Sequence, residues 1–465
     1  MAPTKLTDGG FDRPECLSAP PATVTKLSPG DVDQLLDALH VGVVPATGCT
    51  EPVALALAAA RARLALGLGE ELPDDLRIEA RVSRNIMKNG MAVMVPGTGL
   101  PGLEIAAAIG VVEGDPNAGL GVLAQVTEDG AQRARRLVDC GAVRLSVAEV
   151  DDDVYAEAVL FAGGHRARVC IAGDHTNAYL ETRDDEVLVN RERPAADHVS
   201  PTAKFLRTLT LAQLVDFAHT VDLGRIEFIA DAERLNSALV VAGRDSSYGV
   251  GVGAAMLGAI ESGLSSDDLC SMMTAQAAAA SDARMGGAPL PAMTNSGSGN
   301  QGIVATVPVI VAADRTHASR ELRLRALTLS HAVALYAHAG LPVLSGFCAA
   351  ATAAMGAAAG VCFILDGSYE SIERAVSSMA GDTVGMVCDG AGCSCALKVA
   401  ASVNAAGRAV VLSLAGRRVP GTNGLVHDDV DAGLRGIGRL ATHGMKETDS
   451  EILSIMMAKS DRQPY

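Results

Sequence analysis

Cys388, Cys393 and Cys395 stand close together in GMVCDGAGCSCALKVA, a loop-like stretch that opens into a helical pattern. The stretch has no paired C-x2-C knuckles, which disfavours a structural zinc ribbon, and it lacks the C-x2-C-x2-C run of ferredoxins. A distant third ligand is needed for a metal centre, and Cys348 or Cys362 can supply it, both read as lying on one Ala-rich helix. Cys348, Cys388 and Cys395 share apolar, Ala/Gly-rich surroundings. Three thiolates hold an iron–sulfur cubane and leave one iron without a protein ligand, and an iron with an open position is a Lewis acid rather than an electron carrier. The competing reading of the spacing alone is a set of buried, unligated thiols.

A fourth cysteine, Cys49, precedes the helical run TEPVALALAAARARLAL. Free N–H groups at a helix start favour a thiolate, so Cys49 is expected to have a lowered pKa and to serve as a base or nucleophile. Its alternative is a small buried residue beside a helix cap. The loop MTNSGSGNQG places Asn295, Ser296, Gly297, Ser298 and Asn300 before an apolar run, where successive N–H groups, hydroxyls and amides make an anion cradle. No Gly-Lys-Ser/Thr closes it, so it is not a Walker A loop, and a carboxylate suits it as well as a phosphate. Two further polar islands are Asn85, Lys88 and Asn89 in SRNIMKNG, and His175, Thr176 and Asn177 in GDHTN. Cys16, Cys140, Cys170 and Cys270 read as ordinary structural thiols.

The elements that must carry these groups follow from periodicity. A Pro-rich leader covers 1–29, and Asp31 to His40 reads as a first helix started by Gly30 and Asp31. Thr50 is expected to cap the second helix, with Glu51 and Pro52 in its first turn. Leu76, Ile78, Ala80 and Val82 alternate with polar residues as a half-buried strand, and Met91 to Val95 reads as a second short one. Helical patterns run from Leu103 to about Val138. From about 143 to 200 short β segments succeed one another, with turns at Gly163-Gly164 and Asp184-Asp185, as a meander of hairpins. The fold class is therefore mixed α+β: a large Ala/Gly-rich helical domain over 30–142 and 201–465, with a small α/β unit of β-hairpins inserted at 143–200.

Composition narrows the function classes. The 465 residues are 49% hydrophobic, which suffices for a large core, while only 3% are aromatic and 49 are glycine, so helices are expected to pack closely. A net charge of −16 argues against nucleic acid and anionic membrane as main partners, since both require a basic face. The start lacks a basic stretch followed by an apolar run, so no secretory signal is read and a cytoplasmic address is expected. Residues 346–366 come nearest to a membrane span, but their Ala, Gly and Cys content fits a buried core helix better. A small-molecule ligand is the expected partner, and homodimerisation is left open.

Taken together, GCTEPVALALAAA, NIMKNGMAVMVPGTG, GDHTN, TNSGSGNQG, Cys348 and CDGAGCSCALKVA resemble, in the same order, the iron–sulfur L-cysteine desulfidase family, which is distantly similar to bacterial iron–sulfur L-serine dehydratases. The likeness runs from about residue 30 to the C-terminus. It implies that Cys348, Cys388 and Cys395 ligate a 4Fe–4S cluster with one iron facing the substrate, and that Cys49 is the general base. Cys393 stays open as an alternative ligand. The implied reaction is β-elimination from an L-amino acid, giving sulfide, pyruvate and ammonia from L-cysteine, or elimination from serine or threonine on the same scaffold. The residues implied to hold the amino-acid substrate are Thr50, Glu51, Asn85, Lys88, Asn89, His175, Asn177, the Asn295–Asn300 loop and Lys398. An iron–sulfur or thiol redox sensor that binds an amino acid is the reading outside catalysis.

Overall fold

The computed structural model describes residues 26–195 and 198–460, so the expected leader and Cys16 lie, up to residue 25, outside the described residues. The N-terminal part comprises α1 (Pro29–Gly42), β1 (Pro45–Ala46), α2 (Thr50–Leu66), β2 (Arg77–Val82), α3 (Arg84–Gly90), α4 (Leu103–Glu113), α5 (Glu128–Asp139), β3 (Val143–Val147), β4 (Tyr155–Ala162), β5 (His165–Ala172), β6 (Ala178–Arg183) and β7 (Glu186–Asn190). There follow α6 (Pro201–Leu206), α7 (Leu211–Thr220), α8 (Leu223–Ile226), α9 (Ala230–Ala242), α10 (Val252–Glu261), α11 (Leu269–Met285), β8 (Ala292–Met293), α12 (Gly299–Arg315), α13 (Arg320–Ala339), α14 (Ala350–Leu365), α15 (Tyr369–Met379), α16 (Cys395–Leu414), α17 (Val430–Arg439) and α18 (Lys446–Ser460). The chain is thus mixed α+β, as its texture suggests.

The strands β4 to β7 form the expected antiparallel meander, but the sheet reaches beyond 143–200. Its order is β3-β2-β4-β5-β6-β7, with β2 parallel to β3 and antiparallel to β4. The alternating 76–82 segment therefore lies inside the sheet. Its apolar residues, Ile78, Ala80 and Val82, share a core with α2 and α4, so the inserted unit is not self-contained. That core is tight: a Cβ at Gly110 of α4 would fall 2.4 Å from the Ala56 carbonyl oxygen of α2. A second, larger core is built from the helices after residue 200 together with α1.

Several local expectations change. Ser28, not Gly30 or Asp31, caps α1, with Asp31 completing a capping box. Cys49, not Thr50, is the N-cap of α2, and its side chain makes no capping bond. No strand forms at 91–95. Val95 N–H instead donates to the Leu100 carbonyl 2.9 Å away, because the VPGTGLP run folds back on itself, leaving a single bridge between Met94 and Pro101. The preceding SRNIMKNG island is the helix α3, capped by Ser83. In the 346–366 stretch the helix starts only at Ala350, so Cys348 precedes it while Cys362 lies within it, buried. Among the described residues one helix, α16, is long and apolar enough to cross a membrane, and 56% of that window is buried inside the protein.

Candidate metal and substrate site

Two backbone hydrogen bonds bring the late cysteines together. Cys348 N–H donates to the Met386 carbonyl at 3.0 Å and Cys388 N–H to the Gly346 carbonyl at 2.8 Å, clasping the chain before α14 against the chain before α16 around a Phe347–Val387 bridge. Cys395 is the first residue of α16. Each of the three thiols lies within electrostatic range of the other two. Burial pushes Cys348 up to about 12 and raises Cys395 as well, with the neighbouring Cys388 adding to both. Cys362 faces Ser371 and Ser413 instead.

Buried thiols that cost this much to ionise need a strong positive partner if they are to be thiolates. Among the described residues no three His, Cys, Asp or Glu side chains approach closely enough to share one metal ion. A cubane asks for less, since each thiolate binds its own iron at a separate corner. Three neighbouring sulfurs in an apolar pocket, with Lys398 in range of Cys348 and Cys388, therefore fit such a group. Lys398 is itself ion-paired with Asp389. Cys393 turns elsewhere, its Sγ 3.8 Å from the Met285 carbonyl.

Lys88 is fully buried, and its charge is spent within the protein. Its ammonium donates to the Ser345 and Cys388 carbonyls, 3.4 and 3.2 Å away, and pairs with Asp449 of α18. The chain beside it passes so close that a Cβ at Gly390 (φ +96°) would lie 2.4 Å from the Lys88 carbonyl oxygen. This lysine braces the Cys388 loop from behind. Asn85 likewise turns away, donating to Asp153 Oδ1 at 3.1 Å and to the Leu344 carbonyl.

Cys49 packs with Val93, Met285, Ala391 and Cys395, which places it next to the thiol cluster. The expectation of a lowered pKa fails. Burial pushes Cys49 up to about 11, with Arg284 pulling it down and Glu51 and Cys395 pushing further up. The helix start does not offset desolvation. Arg284, at the end of α11, is only 8% exposed, and its Nη2 donates to Cys49 Sγ at 3.3 Å and to the Gly48 carbonyl at 3.0 Å. Sequence reasoning passed over this arginine; its one signal is a charged pair, Asp282 and Arg284, inside an otherwise Ala-rich helix.

Behind Cys49, the first turn of α2 carries Glu51, buried and accepting from Asn89 Nδ2 at 2.9 Å, with Thr50 Oγ1 at 3.4 Å on its other oxygen. His175 comes within electrostatic range of Glu51 from the β5–β6 loop. Asp174 shapes that loop by accepting from the Thr176 and Asn177 N–H groups, both at 2.7 Å, while Asn177 Nδ2 closes it onto the Ala172 carbonyl. Burial pushes His175 down, with Glu51 and Asp174 opposing. Asn89 Oδ1, His175 Nε2 and Arg284 Nε are all buried without a hydrogen-bond partner. Orphaned buried polar atoms are costly, and these three lie around Cys49 and Glu51 at the start of α2, where a polar guest would satisfy them.

The Gly-rich loop divides its work. Asn295 and Ser298 exchange backbone hydrogen bonds across Ser296 (φ +51°) and Gly297 (φ +80°), a tight turn that only left-handed residues allow. Asn295 donates to His331, Ser296 Oγ to Asn295 Oδ1, and Ser298 caps α12 through Gln301 N–H. Of the expected cradle residues, Asn300 borders the Cys49 pocket, with its Nδ2 3.4 Å from Met285 Sδ. The two surface clefts on the sheet, lined by residues such as Phe161 with His165 and Arg81 with Arg144, include none of these groups.

A model of the serine dehydratase alpha chain matches residues 117–454. A UPF0597 protein of Cutibacterium acnes is 74% identical over 351 residues, covering 76% of this chain and 99% of its own length. One of Chromobacterium violaceum is 49% identical over 426 residues, covering 92% of this chain and 97% of its own. The UPF0597 protein YhaM of Escherichia coli is 46% identical over 426 residues, covering 91% and 96%.

Proposed function

Since the chain belongs to the iron–sulfur serine dehydratase-like family that includes the serine dehydratase alpha chains and the UPF0597 proteins, we propose that it is a cluster-dependent lyase performing β-elimination on L-cysteine, releasing sulfide, pyruvate and ammonia. The observation that carries this reading is the grouping of Cys348, Cys388 and Cys395, with Cys49 packed against the last of them. Bound to the three thiolates, a 4Fe–4S cluster supplies Lewis acidity toward the leaving group at Cβ. The chain's own residues do the rest.

Cys49 takes the Cα proton. For that it must be a thiolate, and the Arg284 guanidinium is the counter-charge beside it. Glu51 and Asn89 face the substrate's ammonium, while His175 and Asn300 complete the rim. The apolar walls, Val93 and Met285 among them, exclude water from the reacting carbon. The aminoacrylate product hydrolyses once released. We further propose a cytoplasmic location, where thiols stay reduced.

A second reading, elimination from L-serine, is favoured by the family's own description. Anaerobically purified protein should contain iron and acid-labile sulfide and should form pyruvate and sulfide together from L-cysteine. Pyruvate from L-serine with no sulfide from L-cysteine would replace the first reading by the second. Activity that is abolished by borohydride in iron-free protein would remove both.

A further inference from the structure

Arg284 is a buried cation among sulfurs and carbonyls. Its guanidinium reaches Met285 Sδ, the Gly48 carbonyl and Cys49 Sγ, its Nε–H has no partner, and among the described residues it makes no ion pair. A guanidinium removed from water in this way calls for an anion, and its planar fork suits a carboxylate best. The start of α12 meets it there. A Cβ at Gly299 would fall 2.1 Å from Arg284 Nε, so the missing side chain is what lets the guanidinium lie against the first turn of a 17-residue helix. The opening N–H groups of that helix lack intrahelical acceptors and carry its positive end. Asn300 Nδ2 borders the same place.

We propose that Arg284, together with the first turn of α12 at Gly299 and Asn300, binds the α-carboxylate of the amino-acid substrate. The assignment rests on the lyase reading above and deepens it. It sets the poles of the bound amino acid: the carboxylate lies toward α11 and α12, and the ammonium toward Glu51 and Asn89 Oδ1. The Cα hydrogen is thereby turned toward Cys49 between them.

The test uses L-alanine, which carries both poles but no leaving group, and its neutral carboxamide, each titrated calorimetrically into cluster-loaded protein. The wild type should bind L-alanine at least roughly 10-fold more tightly than the amide. Arg284→Gln should lose roughly 10- to 100-fold in L-alanine affinity, the range of a charge-assisted bond, and should no longer discriminate against the amide. Arg284→Lys should recover part of both. Gly299→Ala, which keeps the charge but displaces the guanidinium, should move in the same direction and stands in if the Gln variant does not fold.

Wild-type affinity and discrimination in Arg284→Gln overturn this assignment alone, whatever happens to turnover, which also depends on Arg284 as the counter-charge of Cys49. Loss of iron in that variant with unchanged L-alanine binding also overturns it, making Arg284 a counter-charge for the cluster. A wild-type protein that binds no α-amino acid overturns the lyase reading and the carboxylate assignment together.

Discussion

Lys88 of α3 and Asp449 of α18 form an ion pair directly behind the loop that carries Cys388. Both partners are withdrawn from water, and the lysine also donates to the Ser345 and Cys388 carbonyls, in the segments that carry Cys348 and Cys388. Breaking a buried pair from one side leaves an uncompensated charge, which costs about 3–5 kcal/mol. Lys88→Met should therefore lower the thermal midpoint and release iron more readily. A variant with wild-type stability and wild-type iron content would show that the brace is dispensable.

Cys49→Ser should abolish turnover by roughly 100- to 10,000-fold, the range for a positioned acid–base group, while leaving the cluster's visible absorption in place. Steady-state pyruvate formation and the absorption spectrum of one preparation read both. If the spectrum disappears with the activity, Cys49 is a ligand; if activity persists, it is not the base.

Serine at Cys348, Cys388 or Cys395 should each reduce bound iron per chain to background after anaerobic reconstitution. Serine at Cys393 should not, because that sulfur is directed at the Met285 carbonyl. Iron retained in any of the first three, or lost in the fourth, would reassign the ligand set.

Which parts of this site could be read from the chain depends on whether the signal was local. The Leu76 to Val82 alternation and the Gly163-Gly164 turn are local, and both features are present as read. The parallel pairing of β2 with β3 joins residues more than 60 positions apart, and no nearby pattern encodes it. Cys49 was legible as a helix-start thiol. The direction of its pKa was not, because desolvation depends on Val93, Met285 and Ala391, which arrive from three distant segments. Lys88 reads in the sequence as part of a polar island and a candidate substrate contact, and only its burial under α18 shows it to be a strut. Arg284 has only Asp282 beside it as a sequence signal, and its Nε–H, buried without a partner, becomes visible only in the fold.

His331 offers a pH test away from the cluster. It is fully buried, and burial pushes it from 6.5 down to about 3. Asn295 Nδ2 lies 3.2 Å from its Nδ1 and Thr306 Oγ1 3.0 Å from its Nε2, an arrangement that a neutral ring satisfies. Below pH 6.5 the unfolded chain takes up a proton that the folded ring refuses until about pH 3. Its contribution is thus intact above 6.5 and is lost as the pH falls through that window, at about 1.4 kcal/mol per pH unit. Denaturant midpoints should fall between pH 7 and 5, and His331→Gln should flatten that dependence by about one proton. An unchanged slope in the variant would mean that another group titrates.

Cys49 and Glu51 head a helix rooted in the sheet's own core, and His175 rides on the sheet itself, whereas Cys348 and Cys388 are rooted in the helical core. The proposed base and the proposed cluster ligands thus straddle a seam, with the small Cys49–Met285–Cys395 cluster as its fastening. On the proposed assignment, parting there would separate base from cluster ligands, so loss of turnover on warming should precede loss of helix, and turnover becomes a gauge of how firmly the two cores are docked.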